Sequence, residues 1–152
     1  MKYTFFILWA CLLSCKAQKK EGSISGNSND VVLIAHDAYS GITEYQALVI
    51  KDTKSLNKFY SQINRTRKPG LPVPMVDFTT EMVVVLCMGE QRGEWVPTLI
   101  KSEQTEDNIL MTIELPYAEH KDKMDNLPVS YPFYLYKMPY SSKSIDFQKL
   151  GW

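Results

Sequence analysis

The rhythm of hydrophobic and polar positions divides this chain into an apolar start, a polar stretch, and a β-rich remainder interrupted by one helix. Phe5 to Leu13 is a continuous apolar run, and Lys16 to Asp30 is dominated by Lys, Gln, Ser, Gly and Asn, with Ile24 its one large apolar residue. Val31 to His36 then predicts a strand. A turn through Asp37, Ser40 and Gly41 leads to a second strand from Thr43 to Ile50. The period next changes to that of a helix: Leu56, Phe59, Tyr60 and Ile63 fall at i, i+3, i+4 and i+7, with Thr53 or Asp52 as cap and an end near Asn64. Arg65 to Pro74 carries Pro69, Gly70, Pro72 and Pro74 and is expected to be irregular, because each proline lacks a backbone donor and restricts the residue before it.

From Phe78 onward the pattern is mainly β. Val83 to Met88 is apolar at every position, as suits a central strand covered on both faces. Glu94 to Lys101 and Asn108 to Leu115 predict two strands joined by a polar turn at Glu103 to Asp107. Ile109, Met111, Ile113 and Leu115 alternate with other chemistry, so one face of the second strand is preferentially buried. A loop through Pro116, Glu119 to Asn126 and Pro128 precedes a final aromatic strand, Tyr131 to Met138. The expected fold class is α+β: a curved antiparallel sheet or small open β-barrel of about six strands with one packed helix. The expected organisation is a signal peptide at 1–14, a tether at 15–30, and one α+β domain at 31–152.

The apolar start is nine residues long. A helix needs about 20 apolar residues to cross a hydrocarbon core of roughly 30 Å, so this run suits an export signal better than a span. Lys2 supplies its positive end, and Leu12-Leu13-Ser14-Cys15 closes it. That tetrapeptide resembles the lipobox of bacterial lipoproteins. The resemblance implies cleavage before Cys15, acylation of Cys15, and attachment to membrane lipid through chains whose buried methylenes contribute about 0.8 kcal/mol each. Lys16 after the cysteine is not the aspartate associated with inner-membrane retention, which favours the outer membrane facing the periplasm over the inner membrane or cell surface.

Cysteine and charge then narrow the classes. With Cys11 lost in the signal and Cys15 lipidated, Cys87 remains alone and cannot form an internal disulfide. Its apolar surroundings predict a buried structural thiol. Loss of Lys2 takes the 17 basic side chains to 16, against 17 acidic ones. A near-neutral domain argues against a nucleic-acid partner, which requires a concentrated basic face. No motif calls for a cofactor.

A second resemblance covers about residues 39–139. Tyr39-Ser40-Gly41-Ile42 before a strand, Val49-Ile50 leading into the helix, Pro74-Met75-Val76-Asp77-Phe78 ahead of an apolar strand, Gly89 at that strand's end, and Tyr131-Pro132-Phe133 opening the run to Pro139 resemble the C-terminal domain of PrcB-type protease-complex subunits. The family's Thr-Gly-Gly-Tyr turn is replaced here by Gln91-Arg92-Gly93-Glu94-Trp95. The resemblance implies an exported accessory domain, a stabilising partner of a protease rather than a protease.

Candidate chemistry is sparse. Gly89 and Gly93 suit positive φ in a hairpin loop, which either is purely structural or presents Arg92 and Trp95 for recognition. The final strand sends Tyr134, Tyr136 and Met138 to one face. That face either binds a peptide or glycan, or is covered by the helix or by Ile145, Phe147, Leu150 and Trp152. The candidate interaction residues are therefore Arg92, Trp95, Tyr134 and Tyr136. His36, Ser40 and Asp77 are the one conceivable nucleophile-base-orienter set, but Ser40 lies in an ordinary turn rather than a strained elbow. Glu119, His120, Asp122, Asp125 and Asn126 carry metal-capable atoms at spacings that match no calcium or zinc motif. The expectation is a non-catalytic, lipid-anchored accessory or interaction module of the bacterial envelope, with an envelope protein or protease as partner. A binder of small ligands or envelope glycans is the alternative, and a small hydrolase a third reading.

Overall fold

A computed structural model describes residues 30–93, 95–116 and 126–152. The apolar start, the lipobox, most of the tether, Glu94 and the Glu119 to Asp125 loop lie outside the described residues. The rest is mostly β with one helix, an α+β arrangement. Its elements are β1 (Val32–Asp37), β2 (Tyr45–Ile50), α1 (Thr53–Ile63), β3 (Glu81–Met88), β4 (Gln91–Arg92), β5 (Thr98–Gln104), β6 (Asn108–Glu114), β7 (Val129–Ser130), β8 (Phe133–Pro139) and β9 (Ser144–Leu150).

The strands do not form one curved sheet. They divide into a four-stranded antiparallel sheet in the order β1-β8-β3-β2, a three-stranded sheet in the order β5-β6-β9, and a small β4-β7 ribbon, none closed into a barrel. The physical reason lies in β3 and β8, which are apolar on both faces and therefore need a cover on each side. Val83, Val85, Cys87, Phe133 and Leu135 face α1, meeting Leu56, Phe59, Tyr60 and Ile63. Met82, Val84, Leu86, Met88, Tyr134, Tyr136 and Met138 face the other way, against Leu99, Ile109, Met111 and Ile113 of the second sheet. Helix, central sheet and second sheet thus form three layers around two cores.

Local chemistry fixes α1 at both ends. Asp52, extended at φ −153°, accepts from the Ser55 backbone amide at 2.8 Å and from the Ser55 hydroxyl at 2.7 Å. Asn64 closes the other end, and its side chain bonds the backbone of Leu71 in both directions at 2.7 and 2.9 Å. An 11-residue helix is marginal by itself. Burial of Leu56, Phe59 and Ile63, at about 1.5–3 kcal/mol each, is what holds it.

β9 and the short β4 and β7 are absent from the expectation, and β9 is the longest of them. Its Ile145 and Phe147 pack against the second core as a partial cover, in the role expected of the tail, but they do so from a regular strand. β9 pairs with β6 in parallel, from Asn108 opposite Ser144 to Glu114 opposite Leu150. Strand directions also give the molecule two poles. Asp30, the start of β1, the start of β3 (Glu81 opposite Pro139) and the end of β2 lie together at the pole where the chain enters. Lys101 joins them through its 3.7 Å ion pair with Asp30. The end of β1, Met88, Gly89 and Phe133 lie at the far pole.

Candidate interaction surface

The far pole is built by turns that leave the central sheet. At Gly89 the backbone has φ 72°, and a Cβ there would meet the Thr43 carbonyl oxygen and the Tyr45 amide nitrogen at 3.0 Å. Both the positive φ and the close approach require glycine. Gly93, at φ 88°, has the same backbone need, and its missing side chain leaves room for Leu127 and the Trp95 indole. The positive φ expected at both positions is present. Between them Gln91 and Arg92 pair with Ser130 and Val129 as the β4-β7 ribbon.

Trp95 folds back over this turn. Its Nε1 donates to the Arg92 carbonyl at 3.1 Å, and its own carbonyl accepts from the Tyr134 hydroxyl at 3.1 Å. The indole is half-buried and Arg92 is exposed. Trp95 thus packs on the turn and leaves part of its ring exposed. Around it stand Val96, Leu127 and Val129, each exposed. Tyr39 and Tyr131 add an edge-to-face pair with centroids 5.9 Å apart, held where a bridge joins the two residues. Ser40 fixes that bridge: its hydroxyl donates to the Tyr131 carbonyl at 2.8 Å and accepts from the Ile42 amide at 3.1 Å.

Tyr134 and Tyr136 do not belong to this surface, which corrects the expectation that they form part of a recognition face. They are 3% and 5% exposed beneath the second sheet. The Tyr136 hydroxyl donates to the Pro97 carbonyl, and burial with the neighbouring Tyr134 pushes its pKa upward. Tyrosine tolerates such burial when its hydroxyl finds a carbonyl. The covering strands were expected in part, through the tail, but the main cover is β5 and β6.

The three residues of the conceivable triad are each engaged separately. The exposed His36 ring stacks on Tyr134 at 6.0 Å. Ser40 is occupied by the bridge. Asp77 accepts from the Thr79 amide at 3.0 Å and the Thr79 hydroxyl at 2.6 Å, and these bonds hold its carboxyl below the usual range. No hydrogen bond joins the three. Among the described residues no group of three or more His, Cys, Asp or Glu side chains is placed to hold a metal ion. Cys87 is fully buried, and desolvation pushes its thiol up to about 12.

Tyr39, Leu127, Val129 and Tyr131 extend the surface beyond the residues singled out from sequence. Tyr39 sits 92 positions from Tyr131, so no local pattern could pair them, and Leu127 and Val129 read as loop. The chain matches no family model, no curated protein and no solved structure.

Proposed function

We propose that this chain is a lipid-anchored lipoprotein of the bacterial cell envelope whose domain is a non-catalytic interaction module. In this role it stabilises an exported protease or another envelope complex. The observation that carries the proposal is the Leu12-Leu13-Ser14-Cys15 box, followed by a polar stretch and then by a domain already in place at Asp30. Among the described residues no helix is long and apolar enough to cross a membrane. In this reading attachment is through acylated Cys15, with the outer membrane facing the periplasm as the preferred site.

Support for recognition comes from the far pole. Tyr, Trp and Arg are the side chains most enriched where protein interfaces concentrate their energy, and here Tyr39, Arg92 and Trp95 are gathered with exposed aliphatic neighbours. Ser40 ties its turn to the Tyr131 carbonyl and Asp77 bonds its own turn, consistent with a scaffold role.

Crosslinking and pull-down from native membranes, comparing wild type with Trp95→Ala, tests the recognition step. A partner recovered reproducibly with wild type and depleted at least several-fold with the variant is expected; recovery of no partner by the wild type counts against the module. Cys15→Ala tests the anchor separately, since it is expected to abolish lipid labelling and release the protein from the membrane fraction. Unchanged lipid labelling would remove Cys15 as the acceptor.

A further inference from the structure

Two aromatic rings from adjacent layers meet a cation beside the mouth of the second core. Tyr45 opens β2 in the central sheet, and Trp152 follows β9 of the second sheet. Their rings stand edge to face, 84° apart, with centroids separated by 5.0 Å. The Lys149 ammonium lies 3.4 Å from the Tyr45 ring centroid and 4.0 Å from that of Trp152. Two near-perpendicular ring faces converging on one charge is the arrangement by which aromatic cages bind ammonium groups, because each face presents the negative side of its quadrupole.

The backbone builds this corner. Leu115 donates its amide to the Leu150 carbonyl at 3.2 Å, and the chain then reverses at Gly151, where φ is 78° and a Cβ would meet the Leu115 carbonyl oxygen at 3.0 Å. Only glycine makes that reversal without strain, and it carries the indole back to Tyr45. The Tyr45 hydroxyl is buried with no hydrogen-bond partner. Trp152 remains 46% exposed and Lys149 is exposed, so the corner opens to solvent.

We propose that Tyr45 and Trp152 form an ammonium-binding cage that Lys149 of the same chain occupies in the resting state, and that its external ligand carries an alkylammonium group. The chemistry is shared by two sources, a quaternary ammonium headgroup and a primary lysine-type amine. Lys149 competes for the cage as an intramolecular ligand, so its high effective concentration keeps the free cage scarce. The inference stands independently of any role for Trp95 or Cys15.

The test uses the full-length protein and follows the Trp152 indole N–H by NMR. Wild type, Lys149→Ala and Lys149→Gln are titrated with tetramethylammonium chloride and, separately, with N-acetyl-lysine methylamide, against sodium chloride at matched ionic strength. Both Lys149 variants are expected to show a saturable indole shift at least several-fold more sensitive to the ammonium probe than wild type. Adding Trp152→Phe or Tyr45→Leu to Lys149→Gln is expected to weaken the response, read for the former from Tyr45 ring signals. Tighter binding of tetramethylammonium assigns a quaternary headgroup, and tighter binding of the lysine analogue assigns a primary amine. A folded Lys149→Gln protein that gives no saturable shift with either probe, or one that sodium chloride reproduces, overturns the cage. Equal response in wild type and the Lys149 variants overturns the resting occupancy by Lys149.

Discussion

Single residues at the far pole and in the two cores carry most of what can be measured directly. Gly89 is the clearest case. Alanine there adds a Cβ against backbone on two sides and holds a left-handed φ, a conformation that costs about 1–2 kcal/mol for a residue with a Cβ before any clash is counted. Urea denaturation of Gly89→Ala is expected to show a loss of at least that size; unchanged stability would mean that the Thr43 to Tyr45 turn is not packed as described. Cys87 reports on the whole fold. With its thiol pushed up to about 12 and no exposed surface, it is expected to resist iodoacetamide at pH 8 in the folded protein and to react once the protein unfolds. Rapid labelling without denaturant would place Cys87 outside the core. The burial of Cys87 was legible from its apolar neighbours. The burial of Tyr134 and Tyr136 was not, because alternation names the face a side chain takes but not what lies over it.

At the level of elements, α1 was legible almost to the residue. Its period of apolar positions, its Asp52 cap and the irregular proline-rich segment after it are local signals, and local signals survive into the fold. The division of the strands into two sheets was not legible in that way. A β3 apolar on both faces demands two covers, yet which strands supply the second depends on contacts such as Glu114 opposite Leu150, far apart in sequence. β9 shows the limit well: Ile145 and Phe147 alternate with Ser144, Asp146 and Gln148, but the signal lies after a strand that already ended in proline and reads as a tail. The helix cap supplies a pH prediction. The amide and hydroxyl of Ser55 hold the Asp52 carboxyl below its usual pKa. Protons therefore bind the unfolded carboxylate more readily, so the cap's contribution is fully present above the unfolded value of about 3.9 and is lost as pH falls through the folded value. Asp52→Asn is expected to flatten stability between neutral pH and pH 3 relative to wild type, as read by thermal melts; parallel curves would show that the carboxylate bonds contribute nothing.

For the whole molecule, the described members of the two cores lie between Val31 and Phe147, and the ion pair of Lys101 with Asp30 lies at the first described residue. A protein lacking residues 1–29 is expected to be soluble and to melt cooperatively, as judged by circular dichroism and calorimetry; an unfolded product would show that the preceding segment completes the core. The fold class was legible because one helix among many short strands limits the layer arrangements. The candidate surface was legible only at Arg92 and Trp95, where turn chemistry marks the site. Its tyrosine pair and the Tyr45, Lys149 and Trp152 corner depend on long-range closure.

The two poles have a consequence for how such a protein is adapted. β3 spans eight residues, about 25 Å at 3.3 Å per residue, and separates the chain's entry from the aromatic pole. On the proposed anchoring at Cys15, the polar sequence from Lys16 to Asn29 joins the lipid to that entry pole. Under that proposal, height above the bilayer and the shape of the far pole would be independent variables: insertions among the polar residues would retune the first without adding to or removing from the contacts described at the second.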